Sequence, residues 1–410
     1  MTAVAAEEML SLCQLLDPEV LANPYPLFHR LRTEDPVHWD PFLSAWVVTR
    51  YQDVMHVLHH YSADRTPTPE QLTGMGLGSL TPIAQVMVKQ MLFMDAPAHT
   101  RLRALAASAF APARVEALRA HIQTIVHELL DAVEERGCMD VIADIAYPLP
   151  AIVTAEMIGV PPEDRENLKR WSEDFAEVLG NFQHNPDRSA RALSAVENLT
   201  SYFRSRMEEL RRQPRPGLLH SLMTAEINGE RLSDEEIVAN AILTMVGGQE
   251  TTTNLIGNGI LSLLRNPREM RRLLDDPSLI GPAVEEFLRY ESPSQHTARL
   301  APDDTELGGR RIRKRQAVIA VMAAGNRDPA QFADPDRLDI TRDARRHVAF
   351  GWAAHFCFGA TLARVEGQAA IGAILQRLPN LRLQPEPLVW RQNLGLRGLT
   401  ALPVRFGEAN

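Results

Sequence analysis

The stretch "HVAFGWAAHFCFGATLAR", His347 to Arg364, sets Cys357 between Phe356 and Phe358, two residues after His355 and two before Gly359. A cysteine in such a loop can pack, ligate a metal, act as a nucleophile or bind axially to a large cofactor. A zinc site needs more Cys or His at ligand spacing, and His355-x-Cys357 alone is too little. A nucleophile needs a histidine base and an oxyanion pocket, which aromatic flanks suit poorly. An axial thiolate needs a loop that shields sulfur, backbone N–H groups aimed at it, and a helix opening just beyond. Residues 358 to 362 open such a helix, whose N-terminal dipole favours a thiolate.

A second group lies in "GGQETTT". Gly247 and Gly248 fall inside a long helical pattern, where each costs about 1 kcal/mol against alanine. The threonines that follow are also poor helix formers. A helix weakened at its centre implies close approach of another group, or a local bulge. Glu250 and Thr251 supply an acid and a hydroxyl, a proton-delivery pair for a reactive oxygen species over the glycines. Packing of small residues against another helix competes with that reading. Glu286 and Arg289 of "AVEEFLRY" can pair at i,i+3. His99 and Arg103 share a face at i,i+4. With Arg299 and His355 they make four donors able to hold a dianion such as porphyrin propionates. Taken singly, each is better read as a surface or satisfied residue.

These groups need a scaffold, and the pattern supplies one. From about His99 to Leu300 helical periods dominate. "ARVEALRAHIQTIVHELLDAVEERG" predicts one amphipathic helix ending at Gly137, and "SAVENLTSYFRSRMEELRRQ" another, stopped by Pro214. The longest begins after Ser233, with Glu236 completing a capping box, and runs towards Pro267. At 1.5 Å per residue it spans roughly 48 Å. "DPVHWD" and "AWVVTRY" predict a strand pair, "ELGGRRIRKRQAVIAVMAA" a hairpin feeding an apolar strand, and "GLRGLTALPVRF" a strand-like tail. The expected fold is mainly α with a minor β part, in a single domain over residues 1–410.

Composition narrows the function. The 410 residues carry a net charge of -9, which disfavours nucleic acid as a partner. Three scattered cysteines, Cys13, Cys138 and Cys357, argue against a disulfide framework and for a reducing compartment, so a cytoplasmic setting is expected. The N-terminus lacks a basic signal-peptide region, and no stretch reaches about 18 uncharged apolar residues, so no membrane span is expected.

Together these motifs resemble the cytochrome P-450 family. "FGWAAHFCFG" is similar to its haem loop, F-G-x-G-x-H-x-C-x-G, and "GGQETT" to its oxygen-activating motif, (A/G)-G-x-(D/E)-T-(T/S). "EFLR" matches E-x-x-R, "HTRLR" the H-x-x-x-R clamp, and "GNRDPAQFADPDRLD" the bacterial A-N-R-D-P segment. "LARVE" follows the haem loop, as in bacterial members. The ordered set covers residues 24 to 405. The resemblance implies a P-450 fold with a long central helix over haem and small β-sheets at the N- and C-terminal parts. It implies haem b (iron protoporphyrin IX) with Cys357 as the metal ligand. Glu250 and Thr251 would relay protons, with Gly247 and Gly248 leaving room for dioxygen. His99, Arg103, Arg299 and His355 would hold the propionates, and Phe350 and Gly359 would flank the sulfur. Glu286, Arg289 and Arg337 would form a buried ion network behind the loop.

Four positions depart from the pattern. Ala353 stands where the loop has its second glycine, a strained choice if φ is positive there. Arg315 stands where a hairpin glycine is common, Leu338 replaces a phenylalanine, and Gly325 an alanine.

The implied reaction is monooxygenation with O2. No dinucleotide fingerprint is present, so electrons are expected from an external ferredoxin and its reductase, ultimately from NAD(P)H. The docking face would use Arg101, Arg114, Arg345, Arg346 and Arg364. The apolar stretch Leu72 to Phe93, with Leu243, Val246 and Leu394 to Leu396, points to an apolar, medium to large small-molecule substrate, possible in secondary metabolism by analogy. The alternatives are a haem-thiolate peroxygenase and a non-catalytic haem-binding sensor.

Overall fold

The computed structural model describes residues 10–177 and 186–407. In chain order its principal helices are α1 (Tyr51–His60), α2 (Ala98–Ala106), α3 (Pro112–Ala117), α4 (Arg119–Glu134), α5 (Pro148–Ile158), α6 (Arg165–Ala176), α7 (Pro186–Arg212), α8 (Leu218–Thr224), α9 (Asp234–Arg265), α10 (Ile280–Tyr290) and α11 (Ala360–Arg377). The strands used below are β1 (Val37–Asp40), β2 (Ala45–Val48), β3 (Thr297–Leu300), β4 (Thr305–Leu307), β5 (Arg310–Ile312), β6 (Ala317–Ala320), β7 (Arg382–Leu383) and β8 (Pro403–Arg405). The chain is mostly helical with small sheets, as expected.

Local chemistry explains several boundaries. The capping box before α9 forms: Glu236 N–H donates to Ser233 Oγ at 3.2 Å, and Ser233 N–H to Glu236 Oε2 at 2.9 Å. The helix stops at Arg265, two residues before Pro267. The helix expected over Ala113 to Gly137 is two helices instead. Leu118, at φ -80 and ψ -12, lets α3 end and α4 begin. The strand-like tail shrinks to the three residues of β8, which pairs antiparallel with β7.

Contacts divide the chain into two units. The first takes in the chain up to Ser62, Asn254–Cys357, and the chain from Pro379. Its sheet runs β1-β2-β6-β3. β1 and β2 are the expected antiparallel pair, and β6 lies parallel to β2 and antiparallel to β3. Val48, Val54, Val57, Val318 and Ala320, all buried, pack this sheet against α1. In the β4–β5 hairpin region Gly308 has φ +55, and a Cβ there would come 2.6 Å from Val37 Cγ2, so only glycine fits.

The second unit comprises Ala63–Thr253 and Phe358–Leu378. Its core joins Phe175, Leu199 and Phe203 to Ile242, Met245 and Val246 of α9. One stretch, Val141–Ile158, is long and apolar enough to cross a membrane by composition, with mean hydropathy 1.5, and 61% of it is buried. It carries Asp144 and Glu156 and is broken at Tyr147–Pro148 into a wide turn and α5. It serves as core.

Candidate active site

In the first unit the cysteine loop is built on turns. Gly351 has φ +70 and Ala353 φ +56. The alanine that replaces the pattern's glycine therefore sits in the left-handed region, at a cost of about 1–2 kcal/mol. Arg315, the other replaced glycine, is also left-handed at φ 68. Phe356 N–H closes the tight turn on Ala353 O at 3.1 Å, and Cys357 N–H donates to Phe350 O at 2.8 Å. The Phe350 ring lies 5.6 Å from His347 and 6.1 Å from Phe356, so aromatic contacts brace the loop. Cys357 itself is exposed. His355 closes a short 3-10 turn, Ala353–His355, immediately before it.

A chain of hydrogen bonds holds this loop from behind. Val348 N–H donates to Asn326 Oδ1 at 2.7 Å, and Asn326 Nδ2 to Ser292 Oγ at 2.8 Å. Arg289 donates to Asn326 O at 2.9 Å and Pro335 O at 2.8 Å, and forks onto Glu286 at 2.7 and 2.8 Å. The Glu286 and Arg289 side chains are both 0% exposed. The third member of this network is Arg342, whose Nε donates to Glu286 Oε1 at 3.2 Å. Arg337, expected in that place, points its guanidinium to Asp339 and is largely exposed. Only its carbonyl meets Arg289, at 3.4 Å. A buried carboxylate needs a cation close by, and the turn over 337–342 brings Arg342 and not Arg337 to it.

The first unit also carries Arg299 on β3, 3% exposed, donating to Thr297 Oγ1 and Ala298 O at 2.9 Å each. Next to β3, Gln295 N–H donates to Gly395 O at 2.8 Å, which brings Leu394 to Leu396 beside residues 293–297. His296 is buried there. Desolvation pushes its pKa down to about 4, against a hydrogen bond to the Leu394 backbone that raises it, so the imidazole is neutral at physiological pH.

In the second unit, α9 shows why its two glycines differ. A Cβ on Gly248 would fall 2.8 Å from Thr154 Oγ1, so Gly248 lets α5 approach closely. Gly247 meets nothing within 4 Å and is exposed midway along an otherwise buried helix. The helix-packing reading holds at Gly248, and Gly247 leaves an open space. Thr251 Oγ1 donates back to Gly247 O at 2.9 Å, which places its hydroxyl beside that open space. Glu250 is buried, 6% exposed. His99 and Arg103 lie on α2, His99 buried, with the Arg103 guanidinium 5.2 Å from the Phe358 ring. Phe358 also packs on Phe110 at 4.5 Å. Gly359 is the N-cap of α11.

Sequence reasoning gave no role to Glu366. It is 1% exposed on the apolar face of α11, and burial pushes its pKa up to about 8, opposed by a hydrogen bond from Thr252. It is a neutral acid at pH 7, able to hold a proton inside the unit. An acid at a position of α11 flanked by Leu362, Val365 and Ala370, all buried, was the available signal.

Of the arginines expected to face a ferredoxin, Arg101 pairs with Glu236 and Arg345 with Asp343. Arg346 is exposed.

The residues fit a haem group within each unit separately. An exposed thiol bracketed by half-buried phenylalanines suits an apolar planar group with a soft metal. An opening over Gly247, beside the Thr251 hydroxyl, suits a small bound ligand. Among the described residues no three His, Cys, Asp or Glu side chains converge on a metal, so a metal on Cys357 would draw its other ligands from a cofactor.

Comparison with known proteins agrees. The cytochrome P450 family model matches residues 38–277 and 278–394. The biotin biosynthesis cytochrome P450 of Bacillus subtilis is 39% identical over 391 residues, 95% of this chain and 97% of that protein. The vitamin D(3) 25-hydroxylase of Pseudonocardia autotrophica is 40% identical over 394 residues, 94% of each. The crystal structure of P450BioI with an acyl carrier protein ligated to hexadec-9Z-enoic acid superposes with a TM-score of 0.89 at 38% identity, covering 95% of this chain and 100% of that one. The chain belongs to the cytochrome P450 family and is a haem-dependent oxidoreductase of the monooxygenase class.

Proposed function

We propose that this chain inserts one oxygen atom from O2 into an apolar, medium to large organic substrate, by hydroxylation or epoxidation. It acts as a single catalytic domain in the cytoplasm, with electrons from an external ferredoxin, its reductase and NAD(P)H. The observation that carries the reading is the opening over Gly247 with the Thr251 hydroxyl 2.9 Å from its carbonyl. A peroxygenase, whose oxidant arrives with its protons, has no use for that arrangement.

Haem b, when bound, supplies thiolate-supported cleavage of the O–O bond. The chain's own residues do the rest. Cys357 holds the metal. His99, Arg103, Arg299 and His355, by their motif positions, hold the propionates, and Phe350 and Gly359 flank the sulfur. Thr251, anchored to the Gly247 carbonyl, presents an oxygen that accepts and passes a proton, and Glu250 one residue earlier supplies it. Gly247 keeps that space clear of a side chain, and Gly248 keeps α9 against α5. Neutral His296 and Leu394 to Leu396 present a largely dry, apolar surface to substrate.

Substrate class follows from the same surface. Solved relatives hold hexadec-9Z-enoic acid on an acyl carrier protein, testosterone and myristic acid. All are apolar skeletons, and the apolar stretch Leu72 to Phe93 suits such a skeleton by composition.

Three measurements test the reading. The reduced protein with carbon monoxide should absorb near about 450 nm if a thiolate holds the iron, and Cys357→Ser should abolish that band. Thr251→Ala should keep the band and divert electrons from product to hydrogen peroxide. Turnover with peroxide but not with O2, ferredoxin and NAD(P)H would overturn the monooxygenase reading.

A further inference from the structure

The second unit contains a hollow lined by none of the residues given to the haem, though one of its arginines, Arg114, belongs to the expected ferredoxin face. Its cavity of about 560 Å³ lies within the range of roughly 300–1,000 Å³ typical of small-molecule sites. Leu118 and Met157, half-buried, and the exposed Pro214 and Pro216 give its apolar surface, backed by the buried Val115, Ile122, Val153 and Leu218. The floor is therefore apolar.

One wall is the strap Pro214–Gly217. Two prolines stiffen it. A Cβ on Gly217 would lie 2.9 Å from Ile158 O and 3.3 Å from Gly159 Cα, so this backbone is seated tightly on the end of α5. The wall is preformed and needs no ordering when a ligand enters.

The mouth is cationic. Its one carboxylate, Glu156, is already satisfied: Oε2 takes His121 Nε2 at 2.6 Å, and Oε1 takes Arg165 Nη2 at 2.9 Å. Arg114 and Arg215 also line the cavity, are exposed, and have no carboxylate partner among the described residues. His220 lines it too, and its Nδ1 is buried without a hydrogen bond. Two guanidinium groups without a carboxylate partner and an imidazole nitrogen without a hydrogen bond therefore border the same half-open hollow, on a chain of net charge -9.

We propose that this groove binds a carboxylate-headed, straight-chain amphiphile of fatty-acid type. The alkyl chain lies on Leu118, Met157, Pro214 and Pro216, over the buried layer beneath them. The carboxylate meets Arg114 and Arg215, with charge-assisted bonds that Arg geometry favours. Each methylene buried on the floor adds to affinity, and the guanidinium groups select the anion over a neutral head. The site is independent of the haem reading, because none of its lining residues is assigned to the haem.

Dodecanoate is the probe, on the holoenzyme with its iron saturated by an azole ligand so that the substrate site is filled. Equilibrium dialysis should then find one remaining equivalent of bound dodecanoate. The surface double variant R114Q/R215Q should weaken that binding at least tenfold, and Met157→Trp, which narrows the hollow, should do the same. Dodecanol should bind at least tenfold more weakly than dodecanoate. No azole-insensitive equivalent, or one that neither variant changes, overturns the proposal. Equal binding of the alcohol would overturn the role given to the arginines.

Discussion

Arg289 is the residue whose removal the structure costs most clearly. Its guanidinium is fully buried and holds Glu286 by two bonds of 2.7 and 2.8 Å, and it also donates to the carbonyls of Asn326 and Pro335. Arg289→Leu leaves the Glu286 carboxylate in the interior with only Asp339 N–H at 3.0 Å and Arg342 Nε at 3.2 Å. Two charge-assisted bonds lost at about 1.5–3 kcal/mol each, plus two stranded carbonyls at about 1 kcal/mol each, give an upper limit of roughly 5–8 kcal/mol. The remaining cation, Arg342, offsets part of this, and broken buried pairs cost about 3–5 kcal/mol. We expect a loss of about 4 kcal/mol, a large share of a stability of about 5–15 kcal/mol. The assay is urea unfolding followed by far-ultraviolet circular dichroism, with haem release recorded in parallel. The Asn326 bond to Val348 makes haem release the earlier event. The double variant Glu286→Leu with Arg289→Leu leaves no buried carboxylate, and Arg342, 12% exposed, keeps its carbonyl partners, so it should lose less than Arg289→Leu alone. A cost below about 1 kcal/mol for Arg289→Leu would refute the reasoning, as would a double variant that is simply additive.

Further predictions concern the loop, the buried acid and the electron donor. Ala353→Gly removes left-handed strain of about 1 kcal/mol and adds a similar entropy to the unfolded chain, so its stability should stay within about 0.5 kcal/mol of the parent; Ala353→Val should cost more than about 1 kcal/mol, and the same urea titration reads both. Glu366 has its folded pKa raised to about 8 from 4.5. Between those values the folded protein holds the extra proton, so stability falls as pH rises through the window, by a few kcal/mol in all. Glu366→Gln should flatten that slope, and a parent and variant with identical slopes from pH 5 to 8 would show that the acid does not titrate there. His296 works in the opposite sense: its pKa is lowered to about 4, so its contribution is present above about pH 6.5 and is lost as pH falls towards 4; His296→Phe should reduce acid sensitivity in the same titration. Charge reversal of Arg345 and Arg346 should slow reduction by ferredoxin and weaken its salt dependence in stopped-flow traces, and unchanged rates would remove these arginines from the docking face.

What the sequence determined was whatever depends on short spacing. Ser233 and Glu236 had to cap a helix because three residues separate them, and they do. Glu286 and Arg289, one turn apart, had to share a face, and they form the fork. Ala353 and Arg315 stood where glycines are expected, and both have positive φ. Such features are set by a few consecutive dihedrals. Tertiary structure decided whatever depends on long-range approach. Arg342 rather than Arg337 reaches Glu286, because the path of a turn chooses between cations five residues apart. Thr154 comes against Gly248 and leaves Gly247 open, a distinction two adjacent identical residues cannot express. Glu366 is protonated because burial on α11 strips its water, and a single sequence does not show which face of a helix will be covered. The hollow under Arg114 and Arg215 needs residues a hundred positions apart to converge, and only packing brings them together.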